Sequence, residues 1–342
     1  MLRDREGNEV ILSEKPNAHL LILGCSGSGK TYFVCRKLEE ELKKGKKILI
    51  FDYSESYTLS ELDKAGFRNT NMVRIFKPLE HDMNWFFRGK DLQSELVFAL
   101  LKVLRTESYY QKKLLREAMK EVFTYKGYFS IPLLVKQLEE FLTIKEDADE
   151  RKNIFHLLSR LEPYSEINEI QFSESKVTVC EDGKAGIVII QLSDYSQLLR
   201  KFLVEFLAEI FWSETRCGNK KADIILFDEF QNVTIKPGSA LSSMLREGRK
   251  FGLAVYLSSQ FLGNYDKEIV NTLMQAGNMV FFRPTANDRK FVAGIIDLEQ
   301  IRVWQNLLDK LQVGEAVVKG RFSLNGGSKE IERPIICKVE EV

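Results

Sequence analysis

One stretch limits the possible folds more than any other: HLLILGCSGSGKTYFVCRKLEEELKKG. His19 to Leu23 is a short apolar run, the pattern of a buried strand. It breaks into Gly24-Cys25-Ser26-Gly27-Ser28-Gly29-Lys30-Thr31, which fits G-x-x-x-x-G-K-[ST], and a helical pattern follows from about Thr31 to Lys44. Strand, glycine loop and helix in this order are the context a phosphate-binding P-loop requires. The glycines let successive N–H groups turn inward on an anion, and the helix N-terminus adds partial positive charge. In such a loop Lys30 reaches the β- and γ-phosphates of ATP, and the Thr31 hydroxyl holds Mg²⁺. Cys25 fills a small-residue slot. The expected fold class is α/β with a mostly parallel central sheet.

A parallel sheet binds its ligands at the carboxyl ends of its strands. KKADIILFDEFQN sets an apolar strand, Ile224 to Phe227, directly before Asp228 and Glu229. Asp228 is the candidate for holding Mg²⁺ through water, and Glu229 for orienting or deprotonating the attacking water. Asp52 ends the strand of KKILIFDYSESY and is a competing carboxylate, ranked lower because no second acid follows it. REGRKFGLAVYLSSQ reads as the next strand, Gly252 to Ser259, closed by Gln260. An amide can accept from water and donate to phosphate, so Gln260 could sense the terminal phosphate. A plain polar strand end is the alternative. Arg246 and Arg249 precede this strand and so lie away from their own chain's nucleotide. They could serve a neighbour's in trans, as an arginine finger. Otherwise they form a solvated basic helix end that complements the helix dipole.

These motifs, together with GIVIIQLSD, MQAGNMVFFRP and VGEAVVKG, run in the order of the HerA/FtsK superfamily of ring-shaped DNA-pumping ATPases, and the chain most resembles the HerA branch. The resemblance runs from about Asn17 to Gly320. Its phosphate and acidic motifs are generic, whereas the GRKFG…SSQ block at the family spacing is specific. The resemblance implies a RecA-like core with a mostly parallel sheet and an inserted helical subdomain. It also implies a homo-hexamer, Mg-ATP hydrolysis and double-stranded DNA threaded through a central channel. On this match Arg249 carries the trans arginine role, with Arg246 as the fallback, and Gln260 carries the sensor role. Family members usually begin with a small β-barrel. Here few residues precede the first apolar strand, so the chain resembles a compact form lacking most of that barrel. In compactness it resembles HerA-like ATPases that accompany nuclease or NAD-consuming effectors in bacterial anti-phage systems. The implied function is a ring motor that translocates on or unwinds duplex DNA beside such an effector. The alternatives are an ATP-binding scaffold ring that assembles and gates an effector enzyme, and a DNA mobilisation or packaging ATPase.

Composition narrows the partners. A net charge of +1 over 342 residues argues against a freely basic nucleic-acid binder, so DNA contacts must come from local patches or from several copies. Lys236, Lys64 and Arg68 are candidates. Five cysteines without a CxxC pair, and only three histidines, make a zinc site improbable and suit free thiols in a reducing cytosol. The charged start MLRDREGNEV is unlike a signal peptide. No apolar run approaches the ~20 residues a membrane span needs, and a cytoplasmic location is expected. Strand signals stop between Asp82 and about Asn168. There DLQSELVFALLKVLR puts Leu92, Leu96, Leu100 and Leu104 on one helical face. The expected organisation is a first core segment at 1–84, a helical insertion at 85–168 and a second core segment at 169–342.

Overall fold

The computed structural model describes residues 2–78, 92–106, 108–126, 128–165, 172–173, 186–260, 262 and 265–340. Within these the strands are β1 (Leu2–Asp4), β2 (Glu9–Leu12), β3 (Leu20–Leu23), β4 (Ile48–Asp52), β5 (Val73–Phe76), β6 (Tyr128–Phe129), β7 (Phe172–Ser173), β8 (Ile187–Gln191), β9 (Ile224–Phe227), β10 (Ala254–Ser259), β11 (Asn278–Phe282), β12 (Glu315–Gly320), β13 (Phe322–Leu324), β14 (Glu330–Ile331) and β15 (Ile335–Val339). The helices are α1 (Lys30–Lys43), α2 (Leu59–Lys64), α3 (Leu92–Val103), α4 (Tyr109–Lys126), α5 (Ile131–Ile144), α6 (Ala148–Leu161), α7 (Gln197–Arg216), α8 (Ala240–Glu247), α9 (Lys267–Leu273), α10 (Arg289–Ile296) and α11 (Ile301–Lys310).

The chain divides into two compact units. The first comprises residues 1–75, 184–193 and 222–342, and is built on one sheet in the order β14-β13-β2-β1-β15-β12-β11-β3-β10-β9-β4-β8-β5. From β11 through β3, β10, β9 and β4 to β8 the neighbours pair in parallel. Every residue of β3, β4, β8, β9 and β10 is buried. That is why they read as continuous apolar runs: a sheet covered on both faces leaves no alternate position for solvent.

Beyond β11 the sheet turns antiparallel through β12, β15, β1, β2, β13 and β14. Two of these strands, β1 and β2, precede the apolar run at His19, where the sequence reading began its strands. They are three and four residues long, too short for a period to be visible. A local device joins them: Asp4 Oδ1 accepts from the N–H groups of Glu6 and Asn8, and Gly7 supplies the left-handed turn at φ 87°.

The second unit, residues 76–183 and 194–221, is helical apart from a small antiparallel pair, β6 and β7, of which β6 lies inside the stretch expected to lack strands and is too short to show a period. Leu96, Leu100 and Leu104 are buried, as the leucine spacing requires. The α5 helix starts at Ser130, whose side chain accepts from Leu133 N–H, and α6 at Asp147, which accepts from Glu150 N–H. The α7 helix clusters with this unit and packs on α3. No helix among the described residues is long and apolar enough to cross a membrane.

His19, just before β3, carries a stability prediction. It is buried, and its Nδ1 accepts from Val255 N–H at 2.9 Å. Burial pushes its pKa down from 6.5 to about 4, with the Arg249 charge a smaller contribution in the same direction. The folded chain therefore resists a proton that the unfolded chain accepts. Stability is fully present above 6.5 and is lost as pH falls toward 4, by about 3 kcal/mol in all. Urea unfolding from about pH 7.5 down to about pH 4 should show this loss on top of that of His19→Asn, whose Oδ1 can keep the Val255 bond. Parallel pH curves for the two proteins would show that His19 does not titrate this way.

Candidate functional site

The β3 strand lies between β11 and β10, so its following loop opens at the carboxyl edge of the parallel strands. Two bonds tie that loop down: Gly24 N–H donates to Ser259 O at 3.3 Å, and Cys25 N–H to Arg283 O at 2.8 Å. Gly24 has no room for a side chain, since a Cβ would stand 2.5 Å from the Cβ of Phe282. Ser28 closes the loop on Cys25 O through its N–H (3.3 Å) and its Oγ (2.7 Å). Gly27 and Gly29 take φ 72° and 101°, open to glycine at little cost. Among the described residues, the N–H groups of Ser26, Gly27, Gly29, Lys30 and Thr31 have no protein acceptor. A row of free donors at the start of α1 is a cradle for an anion. Lys30 is buried at its floor. Burial lowers its pKa, and the carboxylates of Glu229 and Asp228 oppose that shift. Thr31, half-buried, follows in the first turn.

The acidic residues arrive from β9, separated from β3 by β10 alone. Asp228 is buried, and burial raises its pKa to about 7. The bond from Ser54 Oγ to its Oδ2, at 2.7 Å, and the charge of Lys30 both pull the other way. Ser54 is delivered by Asp52, the competing carboxylate. The Asp52 oxygens accept from Ser56 N–H (3.0 Å) and Tyr57 N–H (3.1 Å), which folds the turn after β4. Burial raises the pKa of Asp52 to about 6 against these backbone bonds.

Glu229 leaves the strand in the left-handed region, at φ 47° and ψ 49°, a conformation uncommon outside glycine. Asn232 holds its carbonyl through both N–H (3.0 Å) and Nδ2 (3.1 Å). Its carboxylate takes one amide on each oxygen: Gln260 Nε2 donates to Oε1 at 2.7 Å, and Gln231 Nε2 to Oε2 at 2.6 Å. Ser259 Oγ in turn donates to Gln231 Oε1 at 2.6 Å.

Lys30, Thr31, Asp228, Glu229 and Gln260 thus sit at one edge of the sheet. Arg246 and Arg249 do not. They lie at the end of α8 and in the turn Gly248–Phe251, before the amino end of β10, and both are exposed. Gln260 follows the opposite end of that six-residue strand. Six residues at about 3.3 Å each span roughly 20 Å, farther than an arginine side chain extends. Two contacts, Ser54 and Gln231, escaped the sequence reading. Gln231 could have been suspected as a side-chain amide two positions after Glu229. Ser54 could not be placed until β4 was known to pair with β9.

The cradle, the buried lysine and the two carboxylates within its electrostatic reach fit a nucleoside triphosphate with Mg²⁺. Mg²⁺ keeps several waters and takes few protein ligands, so the hydroxyl of Thr31 and the carboxylate of Asp228 are donors of the type such an ion would take.

A family model described as "Helicase HerA, central domain" matches residues 7–210. The chain is 23% identical to the DNA double-strand break repair helicase HerA of Sulfolobus acidocaldarius, over 94% of this chain and 65% of that protein. It is 24% identical to the protein of the same description from Saccharolobus solfataricus, over 94% and 64%. It therefore spans somewhat under two thirds of their length. Among solved structures, VirB4 of Thermoanaerobacter pseudethanolicus superposes with a TM-score of 0.69 at 15% identity, over 99% of this chain and 95% of that one. The plasmid coupling protein TrwB, in complex with ADP and Mg²⁺, gives 0.65 at 16%, over 93% and 85%. At such identities the likeness is one of fold: a mixed α/β P-loop core on a sheet whose central strands run parallel.

Proposed function

The chain belongs to the HerA helicase central-domain family, and we propose that it is an Mg-ATP-hydrolysing motor that acts as a homo-hexameric ring on double-stranded DNA. The observation that carries this reading is the split site. The anion cradle, Lys30, Asp228, Glu229 and Gln260 share one edge of the sheet, while Arg249 lies a strand's length away. A neighbouring copy is the way to bring such an arginine to a nucleotide, and a closed ring gives every copy a neighbour.

In this reading the N–H groups of Ser26, Gly27, Gly29, Lys30 and Thr31, with the Lys30 side chain, bind and orient the phosphates. Thr31 and Asp228 hold Mg²⁺, which neutralises phosphate charge. Glu229 orients the attacking water and accepts its proton, Gln260 reports the terminal phosphate, and a neighbour's Arg249 stabilises the charge of the transition state. The first unit is the motor core and the helical unit its insertion. The curated relatives are named as DNA helicases and one structural relative as a plasmid coupling protein, which supports DNA as the track. An associated nuclease or other effector, in DNA processing or anti-phage defence, rests on the family resemblance.

The test is ATP turnover with and without duplex DNA, and DNA binding against salt. Turnover should rise with duplex, and log affinity should fall with log salt by about 0.9 for each phosphate neutralised. Turnover indifferent to duplex, or a flat salt response, in the presence of any co-purifying partner, would replace the motor with a scaffold ring.

A further inference from the structure

Gln231 has no role in the reading above, yet it makes one of the shortest contacts in the site. We propose that Gln231 is a positioning residue for Glu229, and that with Gln260 and Ser259 it forms a two-amide clamp linking the aim of this carboxylate to the phosphate loop; this rests on the ATPase reading of the site.

Three observations support it. Each oxygen of Glu229 has one amide donor, Gln260 on Oε1 and Gln231 on Oε2. A carboxylate offers about four lone-pair sites, so the clamp fixes its plane and leaves acceptor capacity for water. The two amides reach it from different elements, Gln231 from the turn Phe230–Asn232 and Gln260 from the end of β10. Finally, Ser259 is shared. Its Oγ anchors Gln231 at 2.6 Å, while its carbonyl accepts from Gly24, the first residue of the phosphate loop, at 3.3 Å. A shift of the loop is therefore passed through Ser259 and Gln231 to the carboxylate.

The amides divide the work. Gln260 has a second N–H with which to meet a phosphate. Gln231 is committed at both ends, its Nε2 to Glu229 and its Oε1 to Ser259, so it holds the aim while Gln260 reads the ligand. The left-handed backbone of Glu229 makes such a hold necessary, because it turns the side chain off the line of β9, and a Glu side chain alone has three free torsions.

Gln231→Glu is the discriminating variant. It keeps the shape of the side chain but sets a carboxylate oxygen against that of Glu229. It should lower kcat by about 10- to 100-fold, the scale of a misplaced reacting group, and leave KM for ATP and the affinity for a fluorescent ATP analogue within about twofold. Gln231→Ala should lower kcat less, since it removes the aim without adding repulsion. Gln231 is half-buried and outside the apolar core, so both variants should stay folded at the assay temperature, which a thermal melt checks. A second readout is independent of turnover: the side-chain amide protons of Gln231 and Gln260 should exchange slowly with solvent, and lose that protection in Glu229→Ala. A Gln231→Glu protein with wild-type kcat, or one with a raised KM and unchanged kcat, overturns the proposal. A wild type that neither binds nor hydrolyses ATP overturns the nucleotide reading itself and the clamp's catalytic role with it, so the two failures are told apart.

Discussion

Lys30→Ala should hydrolyse ATP at least about 10³-fold more slowly than the wild type, a loss of roughly 4 kcal/mol in transition-state stabilisation. Lys30 is the cation buried at the floor of the loop, within electrostatic reach of Glu229 and Asp228. Charge that spreads over the transferring phosphoryl oxygens needs a fixed positive partner there, and water cannot supply one in a buried site. Truncation also leaves the two carboxylates without their neutralising partner, so a triphosphate would meet net negative charge, and affinity should fall with turnover. The fold should survive. Lys30 opens α1, where alanine is a good helix former, and the loop geometry is set by Gly24, Gly27, Gly29 and the Ser28 bonds instead. Steady-state hydrolysis, analogue binding and far-UV circular dichroism together check this. A folded variant that turns over at the wild-type rate would remove Lys30, and the phosphate loop with it, from the function.

The loop and the acidic pair were legible because their chemistry occupies consecutive residues. Eight residues from Gly24 to Thr31 must form one cradle, and Asp228 and Glu229 must follow an apolar strand directly. The parallel strands were legible for a related reason: burial on both faces writes an unbroken apolar run, as in β3, β9 and β10. What depends on strand order left no local trace. Gln260 meets Glu229, and not only the space above the loop, because β10 lies between β3 and β9. Ser54 meets Asp228 because β4 pairs with β9. Neither neighbour relation follows from a period or a propensity. The short strands β1 and β2 were hidden for a different reason, since strands as short as LRD carry too few alternations to stand out from a charged loop. The α7 helix shows a third limit. Its apolar content marks it as buried without saying which unit buries it.

Arg249→Ala should bind ATP normally and turn over on the order of 10³-fold more slowly, the low end of what an arginine finger supplies. Its placement makes the arginine accessible but remote: exposed, in the turn before β10, with the length of that strand between it and Gln260. A cis role would require the side chain to cross the sheet edge to edge. A trans role requires only a neighbour, and it makes a prediction that a cis role cannot. Glu229→Gln subunits keep a sound arginine but lack a working site. Arg249→Ala subunits keep a sound site but lack the arginine. Mixed assemblies bring some intact sites beside intact arginines, so activity should return above either parent. In a cis mechanism no subunit of the mixture carries both groups, and nothing returns. Mixtures in which subunit exchange is verified by fluorescence energy transfer, yet turnover stays at the parental level, would sink the trans role of Arg249. Arg246, one helical turn earlier and equally exposed, would then be the residue to exchange in the same test.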